Sequence, residues 1–286
     1  MSAKPKPLTE IDDALRSWSQ GDFALTQSGF VHLADLRRPI TNEAREAAKA
    51  LADDGELGLE SVFSTVAGLV VVSQTCDVVR SAAKRPYVEV SPLVKVDATT
   101  LGEIRKRRRP AFAVVPSLLS KGIVVDLDRT MTVEKSVVAG WERNEGCRTD
   151  QERRAFSTAL ARKRARYPFP DAFAAVVARF RDAAKAAHKA GTEEGAHIEA
   201  LTEIRVLAEP DWEDAKPKLT FYFFYEDDPA GFAPNWSAWV EAWGRTLTPE
   251  GFVFGAALAV TLDDVTARDY FDSVELDLEA VSPPRD

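Results

Sequence analysis

The sequence has few of the residues on which most catalytic and metal-binding chemistry depends. Its 286 residues include only two cysteines, Cys76 and Cys147, and three histidines, which are scattered along the chain. Two cysteines are too few for a disulfide scaffold and are typical of a reducing compartment. The cysteines and histidines also lack the spacing of a zinc site. We therefore expect a cytoplasmic protein that binds neither a metal ion nor another cofactor.

Long apolar runs are absent as well. No window approaches the ~20 apolar residues that a membrane-spanning helix requires. The first residues, MSAKPKPLTEIDDAL, lack the apolar centre of a signal peptide, so we expect no signal peptide and no membrane contact. Apolar residues nevertheless make up 45% of the chain, which is enough to build a core. The length suits one large domain or two of ordinary size.

The charge is distributed unevenly along the chain. The net charge is −8, but residues 101–190 carry +10 and residues 191–286 carry −15. A basic middle beside an acidic end indicates either a nucleic-acid surface or two lobes that attract each other. The sequence leaves both interpretations open.

The apolar pattern changes once along the chain. Residues 20–140 contain short apolar stretches separated by Gly and Pro, with one or two helical insertions, a pattern typical of a small β-barrel. From Asp150 the apolar period becomes 3.6, which predicts helices. The predicted α+β fold has three parts: an N-terminal SH3-like β-barrel with helical insertions (1–148), a connecting helix pair (149–190) and a C-terminal α+β lobe (191–286).

Aromatic residues are dense in the predicted C-terminal lobe. HIEALTEIRVLAEP (197–210) and PKLTFYFFY (217–225) predict strands. Trp236, Trp239 and Trp243 share one face of a predicted helix, and we expect them to pack in the core under the aromatic strand.

Four short segments of the first half can be compared with the motifs of a known family: QGD at 20–22, VVVS at 70–73, VSPLV at 90–94 and DLDRTMTVEKS at 126–136. In that order, over about 120 residues, they resemble the PemK/MazF-like toxins, which are bacterial endoribonucleases with an SH3-like barrel. The resemblance implies that fold for the first half of a bacterial-type protein. It also implies a role in toxin–antitoxin systems or phage defence.

Two positions depart from the family's pattern. The family has an Arg-Pro pair directly before its VVVS-type strand, whereas Arg38 and Pro39 are separated from Val70 by about thirty residues. The resemblance implies a phosphate contact for Arg38. The family's Thr, which would stabilise the reacting group, is replaced by Val94, which cannot hydrogen-bond a transition state. The resemblance thus predicts a barrel whose ribonuclease chemistry is doubtful.

Cys76 follows the apolar strand LVVV and is a candidate nucleophile. His32 is the best available base, and Arg38 completes the candidate catalytic set. The adjacent Asp77 opposes activation, because its negative charge raises the pKa of a nearby thiol. We therefore expect Cys76 to be a small buried core residue, as free cysteines usually are. The residues beside it would line a groove at the rim of the barrel: Ser73, Gln74, Thr75 and Asp77.

Two basic segments are candidates for nucleic-acid contact, since clustered Lys and Arg bind phosphates. Their residues are Arg105, Lys106, Arg107, Arg108 and Arg109 in IRKRRRP, and Arg162, Lys163 and Arg166 in ARKRARY. Tyr167 and Phe169 follow the second segment and are candidates for stacking on bases. The alternatives are a solvated surface and docking onto the acidic last third.

Taken together, these patterns favour a binding or regulatory module without catalytic activity. Its basic middle segment would contact RNA, DNA or an acidic protein surface. The alternative is an enzyme: an endoribonuclease that uses Arg38, or a hydrolase that depends on Cys76.

Overall fold

A computed structural model describes residues 7–51, 57–105, 109–165, 167–225 and 236–276. The chain divides into two units: Met1–Arg105 with Pro110–Arg164, and Lys106–Arg109 with Ala165–Asp286. The helix pair predicted over 149–190 is split between them, with its first helix in the first unit and its second helix in the second.

The first unit contains a β-sheet, a separate β-ribbon and several helices. Its strands are β1 (Phe23–Ala24), β2 (Gly29–Asp35), β3 (Leu59–Thr65), β4 (Gly68–Val71), β5 (Tyr87–Lys95), β6 (Phe112–Ala113), β7 (Ile123–Asp126) and β8 (Met131–Glu134). Its helices are α1 (Leu8–Leu15), α2 (Asn42–Leu51), α3 (Thr75–Val78), α4 (Ala98–Arg105), α5 (Lys135–Val138) and α6 (Asp150–Arg164), with a 3-10 helix at Pro116–Lys121.

β5 is the central strand of the six-stranded sheet. It pairs with β4 along one edge and with β7 and β8 along the other, and all of these pairings are antiparallel. The strand order is β1-β4-β5-β7-β6. Within the described residues β1 and β6 do not pair with each other, so the sheet is open. The predicted α+β class is confirmed, whereas the described strands do not close into the predicted barrel.

β4 is buried on both faces, which explains its unbroken apolar sequence. Successive side chains of a strand point to opposite faces. Val70 accordingly packs in a core with Phe156 of α6, while Val71 packs in a second core with Leu15 of α1. The sheet is therefore covered by helices on both sides.

β2 and β3 form a separate two-stranded antiparallel ribbon, which pairs continuously from Gly29 opposite Thr65 to Asp35 opposite Leu59. α2 covers one of its faces through a small core that includes Ala44 and Val62. α2 and β3 lie in the insertion that separates Arg38 from Val70, whereas β2 precedes Arg38.

The second unit is built on a four-stranded sheet. Its strands are β9 (Leu201–Glu209), β10 (Lys218–Tyr225), β11 (Val253–Val260) and β12 (Val274–Glu275). Its helices are α7 (Asp171–Lys189), α8 (Glu193–Ala200), α9 (Trp236–Thr246) and α10 (Ala267–Asp272). The strand order is β11-β10-β9-β12, and β10 and β11 are parallel because α9 crosses over between them.

An aromatic core fills the space between this sheet and two helices. α7 and α9 cover one face, where Phe221 and Phe223 of β10 meet Phe180 and Trp243. Trp236 is 7% exposed and Trp243 is 3% exposed, so the predicted burial of the tryptophan face is confirmed. The opposite face of β10 is covered by residues that include Tyr270 of α10.

One predicted strand begins later than expected. Residues 197–200 belong to α8 rather than to the strand predicted over 197–210, because Thr192 caps that helix by accepting a hydrogen bond from the Gly195 N–H. None of the helices in the described residues combines the length and the apolar composition that a membrane span requires.

Candidate functional site

Cys76 lies in the polar turn that follows β4, on the short helix α3. Its side chain is exposed, and its Sγ lies 3.6 Å from Oε1 of Gln74. The prediction that Cys76 is a buried core residue is therefore wrong. Cys147 is the buried cysteine. Burial, together with the nearby carboxylates of Glu152 and Asp22, raises the pKa of the Cys147 thiol to about 11.

Two of the predicted groove residues use their hydroxyl groups to hold the backbone. Ser73 Oγ accepts a hydrogen bond from the Glu89 N–H at 2.7 Å, and Thr75 Oγ1 accepts one from the Gln20 N–H at 3.0 Å. The side-chain amide of Gln20 in turn donates to the Val72 carbonyl at 2.8 Å. These bonds fasten the turn to β5 and to the segment before β1.

The side chains of the other two groove residues, Gln74 and Asp77, do not hold the backbone in this way. Gln74 is exposed, and among the described residues its side chain contacts the Cys76 thiol. The Asp77 carboxylate is half-buried and lies 3.8 Å from Nη1 of Arg80, an ion pair between groups near the surface. The groove rim therefore has structural hydroxyls on one side and an exposed thiol and amide on the other.

A buried lysine that the sequence did not reveal holds the far end of the turn. Lys135 is 1% exposed, and its Nζ donates to the carbonyls of Asp77 and Arg80. Burial lowers the pKa of Lys135, and the carboxylates of Asp12 and Asp77 oppose this shift. The ammonium binds one carbonyl in the last turn of α3, that of Asp77, and one beyond the end of the helix, that of Arg80. The sequence signal for the burial of Lys135 was its position among the valines of TVEKSVV.

The predicted catalytic residues are not joined by hydrogen bonds. His32 lies on β2, where its ring stacks on Phe30 with centroids 6.3 Å apart, and its buried Nε2 has no hydrogen-bond partner among the described residues. Arg38 is exposed beyond the end of β2. Within the described residues neither side chain bonds to Cys76, whereas an activated nucleophile normally has its base within ≈ 3.2 Å.

Asp22, from the QGD segment, is a buried charged group of the first unit with several hydrogen bonds. It is 1% exposed, and its carboxylate accepts from the Ser19 N–H at 2.8 Å, the Gly146 N–H at 3.1 Å and Arg143 Nε at 2.7 Å. Only glycine fits at position 146, since an added Cβ would lie 1.9 Å from the Gly21 carbonyl oxygen. Within the described residues, these donors of the chain itself satisfy the buried carboxylate of Asp22.

The basic residues of α6 are largely neutralised within the first unit. Lys163 pairs with Asp128, and Arg164 pairs with Glu89 at 2.8 Å. Arg162 is half-buried. The acidic partners lie on other elements and are distant in sequence, so the sequence alone did not reveal these pairs. These pairs neutralise part of the positive charge of the basic middle. From the sequence alone, that charge was a candidate for binding either nucleic acid or the acidic last third of the chain.

The structure describes the first basic segment only at its two ends, Arg105 and Arg109. Arg105 ends α4, is exposed, and has no hydrogen bond or ion pair among the described residues. Arg109 is half-buried. The other predicted contacts lie outside the described residues: Lys106, Arg107, Arg108 and Arg166.

The candidate stacking residues form an aromatic cluster in the second unit. The Tyr167 ring lies 5.4 Å from that of Phe169 and 5.8 Å from that of Trp212. Phe169 also packs against Phe173 at 5.1 Å. Phe169 thus belongs to the core, while Tyr167, which is 38% exposed, lies at the edge of the cluster.

No protein-family model, no curated protein and no solved structure matches this chain. In the part of the chain that the structure describes, no group of three His, Cys, Asp or Glu side chains is placed to hold a metal ion. Functional assignment therefore depends on the geometry of the chain itself.

Proposed function

We propose that this protein is a nucleic-acid-binding regulatory module whose contact runs through the basic segment 105–109. The observation that carries the proposal is the state of Arg105, which is exposed and unpaired among the described residues at the start of five consecutive cations. The cations of α6, in contrast, include two that are paired with Asp128 and Glu89.

Phosphate is the chemistry that this segment fits. Four of its five residues are arginines, and the guanidinium group grips a phosphate through two parallel hydrogen bonds. A nucleic acid presents a negative charge at every nucleotide, so a run of cations engages several phosphates at once. An acidic protein surface offers no such regular array, which favours nucleic acid as the partner.

Binding is favoured over catalysis because the candidate catalytic residues make no hydrogen bonds to one another. The enzyme alternative retains one favourable observation, the exposed thiol of Cys76. The kinship with the SH3-like toxin barrel, and with it a role in toxin–antitoxin systems or phage defence, is part of the proposal. It rests on the four segments quoted above, since the described strands of the first unit form an open sheet.

We also place the protein in the cytoplasm. Both cysteines are free, and one of them is exposed. An exposed free thiol persists best in a reducing compartment.

The direct test compares two variants of equal charge. The first replaces Arg105, Lys106, Arg107, Arg108 and Arg109 by Gln. The control replaces five exposed cations of the second unit by Gln: Arg179, Lys185, Lys189, Lys216 and Arg268. Fluorescence anisotropy then measures binding of labelled oligouridylate and of duplex DNA at low salt. We expect the first variant to bind about a hundredfold more weakly than the wild type, and the control to bind within a fewfold of it.

Three outcomes would overturn the proposal. One is the absence of binding by the wild type at low salt. Another is an equal loss in both variants, which would show that only the total charge matters. The third is equally strong competition by polyglutamate, which would point to an acidic protein surface. Cleavage of the RNA that is lost in Cys76→Ser or Arg38→Ala would favour the enzyme alternative.

A further inference from the structure

Within the described residues, β11 forms one edge of the sheet in the second unit. Among the described strands it has one neighbour, β10, and its sequence VFGAALAV contains neither a charged residue nor proline. The exposed fractions of Val253 and Leu258 are 45% and 44%. A strand of this kind leaves a row of backbone N–H and C=O groups unpaired and serves as a template for pairing with another strand.

The other edge of the sheet lacks these properties. Within the described residues, which end at Leu276, β12 is two residues long and carries Glu275. Short strands and charged residues are common devices that prevent sheets from joining at their edges. The contrast identifies β11 as the edge that is available for pairing.

The regular part of β11 is complementary to itself. A bulge at Gly255 interrupts the pairing with β10, and residues 256–260 then pair without a break. When two antiparallel copies meet with a twofold axis at Ala257, Leu258 of each copy lies opposite Ala256 of the other. The large side chain meets a small one twice, as a symmetric contact requires.

The helix beside β11, α9, carries an ion pair of opposite charges. Glu241 and Arg245 of α9 pair at 2.8 Å, and with Phe254 and the next three residues of β11 they line an open cleft of about 500 Å³. The Arg245 guanidinium lies 4.6 Å from the centroid of the Phe254 ring. A second antiparallel copy would present the same two opposite charges beside the pairing edge in the reverse order. Exposed ion pairs of this kind contribute little affinity but fix orientation.

We propose that two copies of this chain join through antiparallel pairing of their β11 strands, which creates one continuous eight-stranded sheet across a twofold axis. The α9 helices flank the axis, and their Glu241 and Arg245 side chains exchange partners between the copies. This inference rests on the second unit alone and is independent of the nucleic-acid proposal.

Sedimentation velocity of the full chain tests the dimer directly. We expect a species of twice 31.5 kDa for the wild type. Leu258→Lys places a charge on the pairing edge and should convert the protein to a monomer. Leu262→Lys is the control: Leu262 lies beyond the end of β11 and is already 68% exposed, so this variant should remain a dimer.

A charge reversal tests the orientation separately from folding. Arg245→Glu crowds carboxylates around the axis and should weaken the dimer. The double change Glu241→Arg with Arg245→Glu restores opposite charges across the axis and should restore the dimer. A wild type that is monomeric at all concentrations would overturn the proposal, and so would a dimer that Leu258→Lys leaves intact.

Discussion

At the residue scale, Asp22 faces only hydrogen-bond donors. Two backbone N–H groups and the Arg143 side chain surround its carboxylate. Asp22→Asn would set an amide N–H₂ against one of these donors and leave Arg143 without its counter-charge. We expect the free energy of unfolding, measured with urea, to fall by about 2–4 kcal/mol.

Asp13→Asn is the matched control for this change. Asp13 is exposed and forms only a surface pair with Arg16, so its loss should cost less than ~1 kcal/mol. Equal effects of the two substitutions would contradict the structural role assigned to Asp22.

The two cysteines should differ sharply in reactivity. Cys76 is exposed, whereas Cys147 is buried and its pKa is raised to about 11. We expect an alkylating reagent near neutral pH to modify Cys76 in the native protein and to modify Cys147 only after unfolding. Mass spectrometry of the labelled peptides measures both sites. Faster labelling of Cys147 would contradict the structure.

Such labelling reports exposure and does not by itself show catalysis. A catalytic thiolate would lose reactivity when its base is removed. Because His32 makes no hydrogen bond to Cys76 among the described residues, we expect His32→Ala to leave the labelling rate of Cys76 unchanged.

Sequence patterns predicted some of these residues and not others. The QGD segment drew attention to Asp22, but nothing in it identified Arg143 and Gly146, because those contacts cross more than a hundred residues. Cys76 was expected to be buried because free cysteines usually are, yet the turn that follows β4 brings it to the surface. Average tendencies of a residue type do not determine its position in a particular turn.

At the scale of elements, the β2–β3 ribbon exposes an apolar face. Val31 pairs with Phe63 across the ribbon, and Leu33 and Leu59 extend the same patch. The side chains of Leu33, Leu59 and Phe63 are all more than 60% exposed. A continuous patch of this kind is typical of an interaction surface.

A dye that binds apolar surface should detect this patch. Leu33→Lys interrupts it and should lower the fluorescence of bound 8-anilinonaphthalene-1-sulfonate in the native protein. Leu262→Lys is closely matched, since both leucines are 68% exposed but Leu262 lies outside the ribbon. Equal fluorescence in the two variants would show that the ribbon presents no continuous apolar surface.

The elements found from sequence were those with a strong local pattern. The apolar run of β4 and the 3.6-residue period of α6 and α7 were sufficient to place them. β3 was missed, because LESVFST mixes polar and apolar residues when only one face of a strand is covered. The strand order of the sheet could not be predicted from the sequence either. β8 pairs with the first half of β5, and this pairing does not close a barrel.

At the scale of the whole molecule, the central claim concerns charge. The sequence showed a basic middle and an acidic end. In the structure, two cations of α6 form ion pairs with Asp128 and Glu89 of the same unit, which neutralises part of the positive charge of the helix. The segment 105–109 is therefore the stronger candidate for binding phosphates. This distinction required the folded chain, because the acids involved lie far from α6 in sequence.

The salt dependence of nucleic-acid binding tests that claim most directly. Each phosphate that a cation neutralises releases counterions, which contributes about 0.7 to the slope of log affinity against log salt for a single strand. With oligouridylate, the account predicts that replacing all five cations of 105–109 by Gln lowers the magnitude of this slope by about 3.5. An unchanged slope would contradict it.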